Sequence, residues 1–474
     1  MLYDYMKELG YNDEEIEKIR NSHYICNYRE ESLINKINTN LNFLLNLGYS
    51  KEDIIRMTVS YPSIYVSDVS YLQQKINDIV SLGYEYLDVL KMIKITPQIL
   101  AYNLDTLNKK INNFMKFGYS YDEVLKMTKV QPFIYCHSED NINDKLKFLL
   151  DLKYSKEDIF RMSKKYPAIY TLGCEKIKNR IDELVILGYA RKNVLKMVAF
   201  FPSLLGFDLE YIKVKIDNII KLGYDREIVI GMTAKFPQLL GYKIETLEKR
   251  IEDIVRLGYS KEEVIKMTKR FPSLYILDID TIKNKITDIM ALGYSREEVI
   301  KITKSLPSIY SHAITNIKNK IDDLILLGYS REEVIKITII NPSIYSYGIN
   351  TLYNKINNLI DLGYTKEQVI KMTIMFPSLF SLVEENVREK KKFYDMIGLS
   401  NIFAIDPKQL MQSVELSYAR YMFYKSIGVD IDISNYKKLF VGQNEFFKKY
   451  GINNKELIET YKYGMNDENR KNIY

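Results

Sequence analysis

Ten of the chain's eleven prolines fall in one column. Pro62, Pro97, Pro132, Pro167, Pro202, Pro237, Pro272, Pro307, Pro342 and Pro377 follow one another at 35-residue intervals, and only Pro407 stands outside the series. Proline has no N–H to donate and collides with the preceding turn, so each of these residues marks a helix end. A second column keeps the same period. Gly-Tyr occurs at Gly48, Gly83, Gly118, Gly188, Gly223, Gly258, Gly293, Gly328 and Gly363, and Lys153-Tyr154 fills the one gap in register. A period of this length, kept over most of 474 residues, belongs to a chain built from one repeated supersecondary unit.

Between Pro272 and Leu306 the unit can be read in full. Ile282, Ile286, Ile289 and Met290 recur at helical spacing and give a long amphipathic helix. Gly293 ends it, since glycine takes the left-handed position without a Cβ clash. Ser295 opens a second helix, with Glu298 three residues on as a capping box; the pattern recurs at Ser50/Asp53, Ser120/Glu123, Ser155/Asp158, Ser260/Glu263 and Ser330/Glu333. Val299, Ile300, Ile302 and Leu306 form the apolar side of this shorter helix, which Pro307 stops. The step after the proline, Pro-Ser-Ile-Tyr, reads as a tight 3₁₀ turn with its Ile and Tyr packed inward.

One such unit cannot bury its own apolar face, so neighbours must stack. The expected fold is therefore all-α: an α-solenoid superhelix of about ten 35-residue repeats with distinct terminal caps. Residues 1–47 read as a degenerate N-terminal repeat, 48–398 as the array, and 399–474 as a helical C-terminal cap. The Trp and Ala positions of tetratricopeptide repeats have no counterpart.

The stretch from Leu292 to Ser330, LGYSREEVIKITKSLPSIYSHAITNIKNKIDDLILLGYS, resembles the repeat of the mitochondrial transcription termination factor (mTERF) family. The resembling features are Leu-Gly before a Ser-capped helix, one proline after it, an apolar pair behind the proline, and the next amphipathic helix. They recur over roughly residues 44–400. The resemblance implies a curved superhelix of helix triplets with a basic concave face for double-stranded nucleic acid, acting in transcription termination, transcription regulation or RNA maturation. The N-terminus, MLYDYMKELGYNDEEIEKIR, lacks the charged-then-apolar order of a signal peptide and is too acidic for a transit peptide. The chain thus reads as a bacterial-like, cytoplasmic member.

Composition narrows the chemistry. Sixty-eight Lys+Arg against 61 Asp+Glu give a net charge of +7, which permits an anionic partner without demanding one. No apolar run reaches the ~18 residues that a membrane span needs. Cys26, Cys136 and Cys174 are too few and too irregular for a disulfide scaffold or a zinc site. His23, His137 and His312 are scattered and offer neither a metal cluster nor a triad, and no phosphate-cradling glycine loop is present. Neither catalysis nor a cofactor is expected.

Two basic columns carry the functional expectation. Thirteen residues after each proline stands Lys75, Lys110, Lys145, Arg180, Lys215, Arg250, Lys285, Lys320, Lys355 or Lys390. Flanking the apolar stripe of the long helix, these side chains are expected to pack their stems and extend their charges as a ridge of phosphate contacts. Six residues before the proline stand Arg56, Lys91, Lys126, Arg161, Lys196, Lys266, Lys301, Lys336 and Lys371, with Gly231 as the exception. Most have an acid four residues earlier, as in Glu262/Lys266, and are expected to pair with it. The tyrosine three after the proline exchanges with Leu100, Leu205 and Leu240, which assigns that column to the core rather than to base stacking. The resulting expectation is a monomeric, non-enzymatic protein that binds nucleic acid, with double-stranded DNA favoured over RNA, and influences transcription. The competing one is a protein-binding scaffold.

Overall fold

The computed structural model describes residues 1–23, 25, 26 and 28–462. It is all-helical, with no strand among the described residues. The chain divides into two compact units, Met1–Ile244 and Glu245 onward. Each is a stack of the same repeat.

In the first unit the repeat that begins at Pro167 shows the plan. A 3₁₀ turn, Pro167–Tyr170, leads into a long helix, Cys174–Ile186, and a short helix, Arg191–Phe200. The proline sits at the first position of the turn, where no N–H is required. Ile169 and Tyr170 of the turn and Ile177, Ile181 and Leu184 of the long helix are buried. Long helices of successive repeats lie side by side in one layer and short helices in another, so each repeat covers the apolar face of the one before.

The glycine column does what the sequence requires of it: Gly118 ends its long helix in the left-handed region, at φ 114°. Lys153, standing where the other repeats have glycine, is held there at φ 72° and is the only non-glycine residue with positive φ among those described. Capping boxes close reciprocally at Ser120, Ser155, Ser260, Ser295 and Ser330. At Ser50 only the serine half forms, because the Asp53 carboxylate is turned to Arg56 and Lys94.

A polar thread runs through the apolar core. The Gly-Tyr tyrosine of one repeat meets a buried Thr or Ser of the next short helix and the tyrosine three after the next proline. Tyr84 Oη lies 2.5 Å from Thr128 Oγ1 and 2.7 Å from Tyr135 Oη. Tyr11 with Thr58 and Tyr65, and Tyr119 with Ser163 and Tyr170, repeat the trio. At two of the three Tyr/Leu exchanges seen in the sequence the hydroxyl partner is lost as well, whereas before Leu240 Thr233 still meets Tyr189 at 2.6 Å. Before Leu100 the hydroxyl position is Ile93, and Tyr49 donates instead to the Leu90 carbonyl at 2.8 Å. Before Leu205 it is Val198, and the buried Tyr154 hydroxyl is left without a partner.

The second unit repeats the plan, with Tyr259/Thr303/Tyr310 and Tyr294/Thr338/Tyr345 as its trios. It also extends it. Pro407 heads a further 3₁₀ turn, Pro407–Met411, followed by a long helix, Val414–Ser426. The preceding short helix is cut down to Ile402–Ile405, which places Pro407 30 residues after Pro377 and hides it from the 35-residue register. The segment expected to be a separate cap from residue 399 thus opens as a shortened repeat. The 3₁₀ turn Tyr436–Phe440 and the helices Gln443–Tyr450 and Asn454–Thr460 follow it. Residues 463–474 of the expected cap lie outside the described residues.

Candidate nucleic-acid interface

The column thirteen after the proline is placed differently from the sequence expectation. Its stems pack as expected, but its charges turn inward, onto the next repeat. Lys75 Nζ donates to the Tyr102 carbonyl at 3.0 Å and Lys215 Nζ to the Tyr242 carbonyl at 2.7 Å. Lys110 and Lys145 reach the carbonyls of His137 and Leu172 in the same way. In the second unit Lys285 donates to His312 at 2.6 Å, Lys355 to Leu382 at 3.0 Å and Lys390 to Leu410 at 2.6 Å. Except for Leu410, each acceptor is the residue five after the next proline, where the 3₁₀ turn ends and its carbonyls have no backbone partner. The ammonium group therefore acts as a C-terminal cap supplied by the neighbouring repeat.

Burial fits this role. Lys75 is 7 % exposed, Lys145 4 % and Lys320 8 %. Burial holds the ammonium groups of Lys110, Lys320 and Lys390 below the usual lysine range. Aromatic rings add to the site: Lys75 Nζ lies 5.1 Å from the Tyr71 ring centre and Lys215 Nζ 5.0 Å from that of Tyr211. Of the remaining members, Arg180 is buried and paired with Glu183 at 2.5 Å, Lys320 lies 3.9 Å from Asp323, and Arg250 is half-buried. Two further residues occupy the same place and were not legible as members. Asn40, one period before Lys75, donates to the carbonyls of Tyr65 and Ser67, both at 3.0 Å. Arg420, thirteen after Pro407, is fully buried and donates to the Leu439 carbonyl at 2.9 Å.

The other basic column faces outward. Arg56, Lys91, Lys126, Arg161, Lys196, Lys266, Lys301, Lys336 and Lys371 are all exposed, on the short helices. The expected pairs at four-residue spacing do not form among the described residues. Arg56, Lys91 and Arg161 instead contact the acid three before them, Asp53, Asp88 and Asp158. Lys126, Lys196, Lys266, Lys301, Lys336 and Lys371 carry no ion pair among the described residues. For Lys126 and Lys266 the acid three before is engaged by the next repeat: Lys164 holds Glu123 at 2.5 Å and Lys304 holds Glu263 at 2.7 Å.

A third basic column went unnoticed in the sequence. The first residue of the short helix is Lys51, Lys156, Arg191, Arg226, Lys261, Arg296, Arg331 or Lys366, all exposed; the exceptions to the column are Tyr86 and Tyr121. Two of these also cap a neighbour: Arg296 donates to the Leu257 carbonyl at 2.8 Å and Arg331 to the Leu292 carbonyl at 2.6 Å, at the ends of the long helices one repeat earlier. The signal was present as a basic residue directly after the N-cap, a position where the helix dipole favours acids.

His137 and His312 supply their backbone carbonyls to Lys110 and Lys285, and burial holds both imidazoles below the usual histidine range. No group of three or more His, Cys, Asp or Glu side chains suited to a metal ion occurs among the described residues. No helix of the described residues is long and apolar enough to cross a membrane.

Comparison with known proteins agrees with the repeat. The family model described as mTERF matches the chain four times, over residues 2–150, 116–222, 213–291 and 289–397. No curated protein matches the chain. The matches cover the proline, glycine and capping columns of both units, and the chain belongs to the mTERF family.

Proposed function

We propose that this protein is a non-enzymatic binder of double-stranded nucleic acid, with DNA favoured, and that it acts on transcription through the exposed basic side of its short helices. The observation that carries this reading is the column six before the proline: nine exposed cations at one repeat position, most of them without an acidic partner among the described residues. Cations spaced at one per repeat suit a polyanion whose charges also recur at fixed intervals. Lysine and arginine at such a column position the partner without reading its sequence. The inward column contributes indirectly, by fixing one repeat on the next and so holding neighbouring members of the outward column in register.

The test is a salt titration of duplex DNA binding. Each phosphate contact adds about 0.9 to the slope of log K against log salt. Changing Lys266, Lys301, Lys336 and Lys371 together to Gln is expected to lower the slope by about 3–4 and to leave the fold intact, since exposed substitutions cost under ~0.5 kcal/mol each. An unchanged slope removes this column from the interface. Duplex RNA in a parallel titration decides between the two nucleic acids. A parent protein that binds neither duplex at about 50 mM salt favours the scaffold reading, for which the exposed Ile340, Met375 and Ile405 at the ends of three successive short helices supply an apolar surface.

A further inference from the structure

The short helix Arg191–Phe200 combines four features, two of them shared with other repeats, that converge on one surface. Its N-cap is Ala190, which makes no side-chain capping bond, as is also the case for Glu85 and Asp225. Its first turn holds no acid, whereas the first turn of every other ten-residue short helix holds at least one. The ion pair that ties some neighbouring short helices, as Lys129 with Asp88 or Lys164 with Glu123, has lost both members here, at Asn193 and Ala234. Finally, Val198 and Leu205 stand where a Thr and a Tyr would have partnered the buried Tyr154 hydroxyl; Ile93 and Leu100 do the same to Tyr49, but Tyr49 finds the Leu90 carbonyl and Tyr154 finds no partner.

Each loss weakens the local structure, and the second and third also remove negative charge or its partner. What remains is Arg191, Lys192 and Lys196, all exposed on a helix with no acid in it. Arg191 is held by Asp182 at 2.6 Å, on the long helix of the same repeat; Lys192 and Lys196 carry no ion pair among the described residues. The adjoining short helix, Lys156–Lys165, adds Lys156, Arg161, Lys164 and Lys165 against Glu157 and Asp158. Lys165 lies 5.0 Å from the Phe200 ring centre, which ties the two helices into one patch. Local rules broken at low cost to folding are commonly found where a surface serves a partner.

Resting on the proposed function, we infer that this patch is the anchor of the interface, the place where the phosphate backbone of a duplex makes its closest contacts. The other short helices, each with its own acids, then add weaker contacts. With no carboxylate of its own, the helix Arg191–Phe200 carries the strongest excess of positive charge in the patch, and this attracts a polyanion.

The repeat itself supplies the test. Ser295-Arg296-Glu297-Glu298 is the unit's usual start, and Ala190-Arg191-Lys192-Asn193 occupies the same positions. The triple variant Ala190→Ser, Lys192→Glu, Asn193→Glu restores that start. It is expected to raise the melting temperature, because it returns a capping box, and to weaken duplex DNA binding at least ~10-fold with a slope lower by about 1–2. A second variant, Lys192→Gln with Lys196→Gln, removes the charges without adding acids and is expected to lose affinity several-fold. A control that matches the triple variant's charge change on exposed long-helix positions, Lys147→Gln with Lys176→Glu, is expected to change affinity less than about 3-fold. Parental binding by both patch variants overturns the inference, and so does an equal loss in the control, which makes the effect one of total charge. A parent that binds no duplex removes the functional reading and this inference with it. Loss in the four-repeat Gln variant without loss in the patch variants leaves the reading standing and refutes the anchor alone.

Discussion

Replacing Lys75 by Met removes one inter-repeat cap while leaving its packing. Methionine keeps the unbranched stem, so the apolar contacts of a residue only 7 % exposed are largely retained. The loss is the hydrogen bond from Nζ to the Tyr102 carbonyl at 3.0 Å, together with the ring contact to Tyr71 at 5.1 Å. A hydrogen bond from a charged donor contributes about 1.5–3 kcal/mol, and a partly exposed cation–ring contact about 0.5–1 kcal/mol. Against this stands the relief of keeping an ammonium group out of water, which offsets a good part of the sum. The expected net destabilisation is about 1–2 kcal/mol, close to the cost of one orphaned carbonyl. Urea unfolding followed by circular dichroism reads it, with the slope m unchanged if only stability moves. Lys75→Arg is expected to cost less, because Arg180, Arg250 and Arg420 occupy this position naturally. An unchanged midpoint for the Met variant refutes the cap, and a lowered salt slope for DNA binding in the same variant returns the column to the interface.

Other consequences are equally direct. Lys153→Gly is expected to stabilise the protein by about 1 kcal/mol, because it relieves a side chain held at φ 72°; the converse, Gly258→Val at φ +106° with open space around the missing Cβ, is expected to cost about 1–2 kcal/mol from backbone strain alone. Thermal unfolding of the two variants checks both signs. Thr303→Val removes the 2.6 Å partner of the Tyr259 hydroxyl and is expected to cost about 1 kcal/mol, whereas Val198→Thr gives the orphaned Tyr154 a partner and is expected to stabilise, both by urea titration. The buried tyrosines set an alkaline limit. Burial pushes Tyr135, Tyr189 and Tyr329 up to about 12, so the folded chain keeps protons that the unfolded chain releases near pH 10. Their contribution is complete below about pH 10 and is lost as pH rises toward 12, by up to about 1.4 kcal/mol per pH unit for each. A midpoint that is flat between about pH 9 and 11.5 contradicts the burial of these tyrosines.

The repeat was legible because prolines, glycines and N-caps act on the backbone of their own residue, and a 35-residue period shows them without any tertiary knowledge. The shortened repeat was not, since loss of five residues from one short helix moves Pro407 out of register while keeping its role at the head of a 3₁₀ turn. The direction of the inward column was also out of reach. Lys75 and Lys196 both stand beside an apolar stripe on a helix, and whether the amine turns in or out depends on a carbonyl 27 residues away, which no local pattern displays. One trace of it was present. The column thirteen after the proline never admits Gln, Glu or Ser in ten repeats, and a solvated face drifts more than that. The outward column, by contrast, tolerates Gly231. Uniform charge thus marked a structural requirement, and the exposed face was the less uniform one.

Lysine acetylation footprinting with and without bound duplex DNA tests the central claim on the unaltered protein. A brief pulse of an amine-reactive reagent labels each lysine according to its access to solvent, and mass spectrometry reads all of them together. The account predicts that Lys75, Lys110, Lys145, Lys215, Lys285, Lys320, Lys355 and Lys390 label slowly in both states, since their amines are buried or engaged. Lys126, Lys196, Lys266, Lys301, Lys336 and Lys371 should label quickly in the free protein and become protected by DNA, with Lys192 and Lys196 protected at the lowest DNA concentration. Fast labelling of the first set in the free protein, with protection on adding DNA, contradicts the account and makes the inward column the interface.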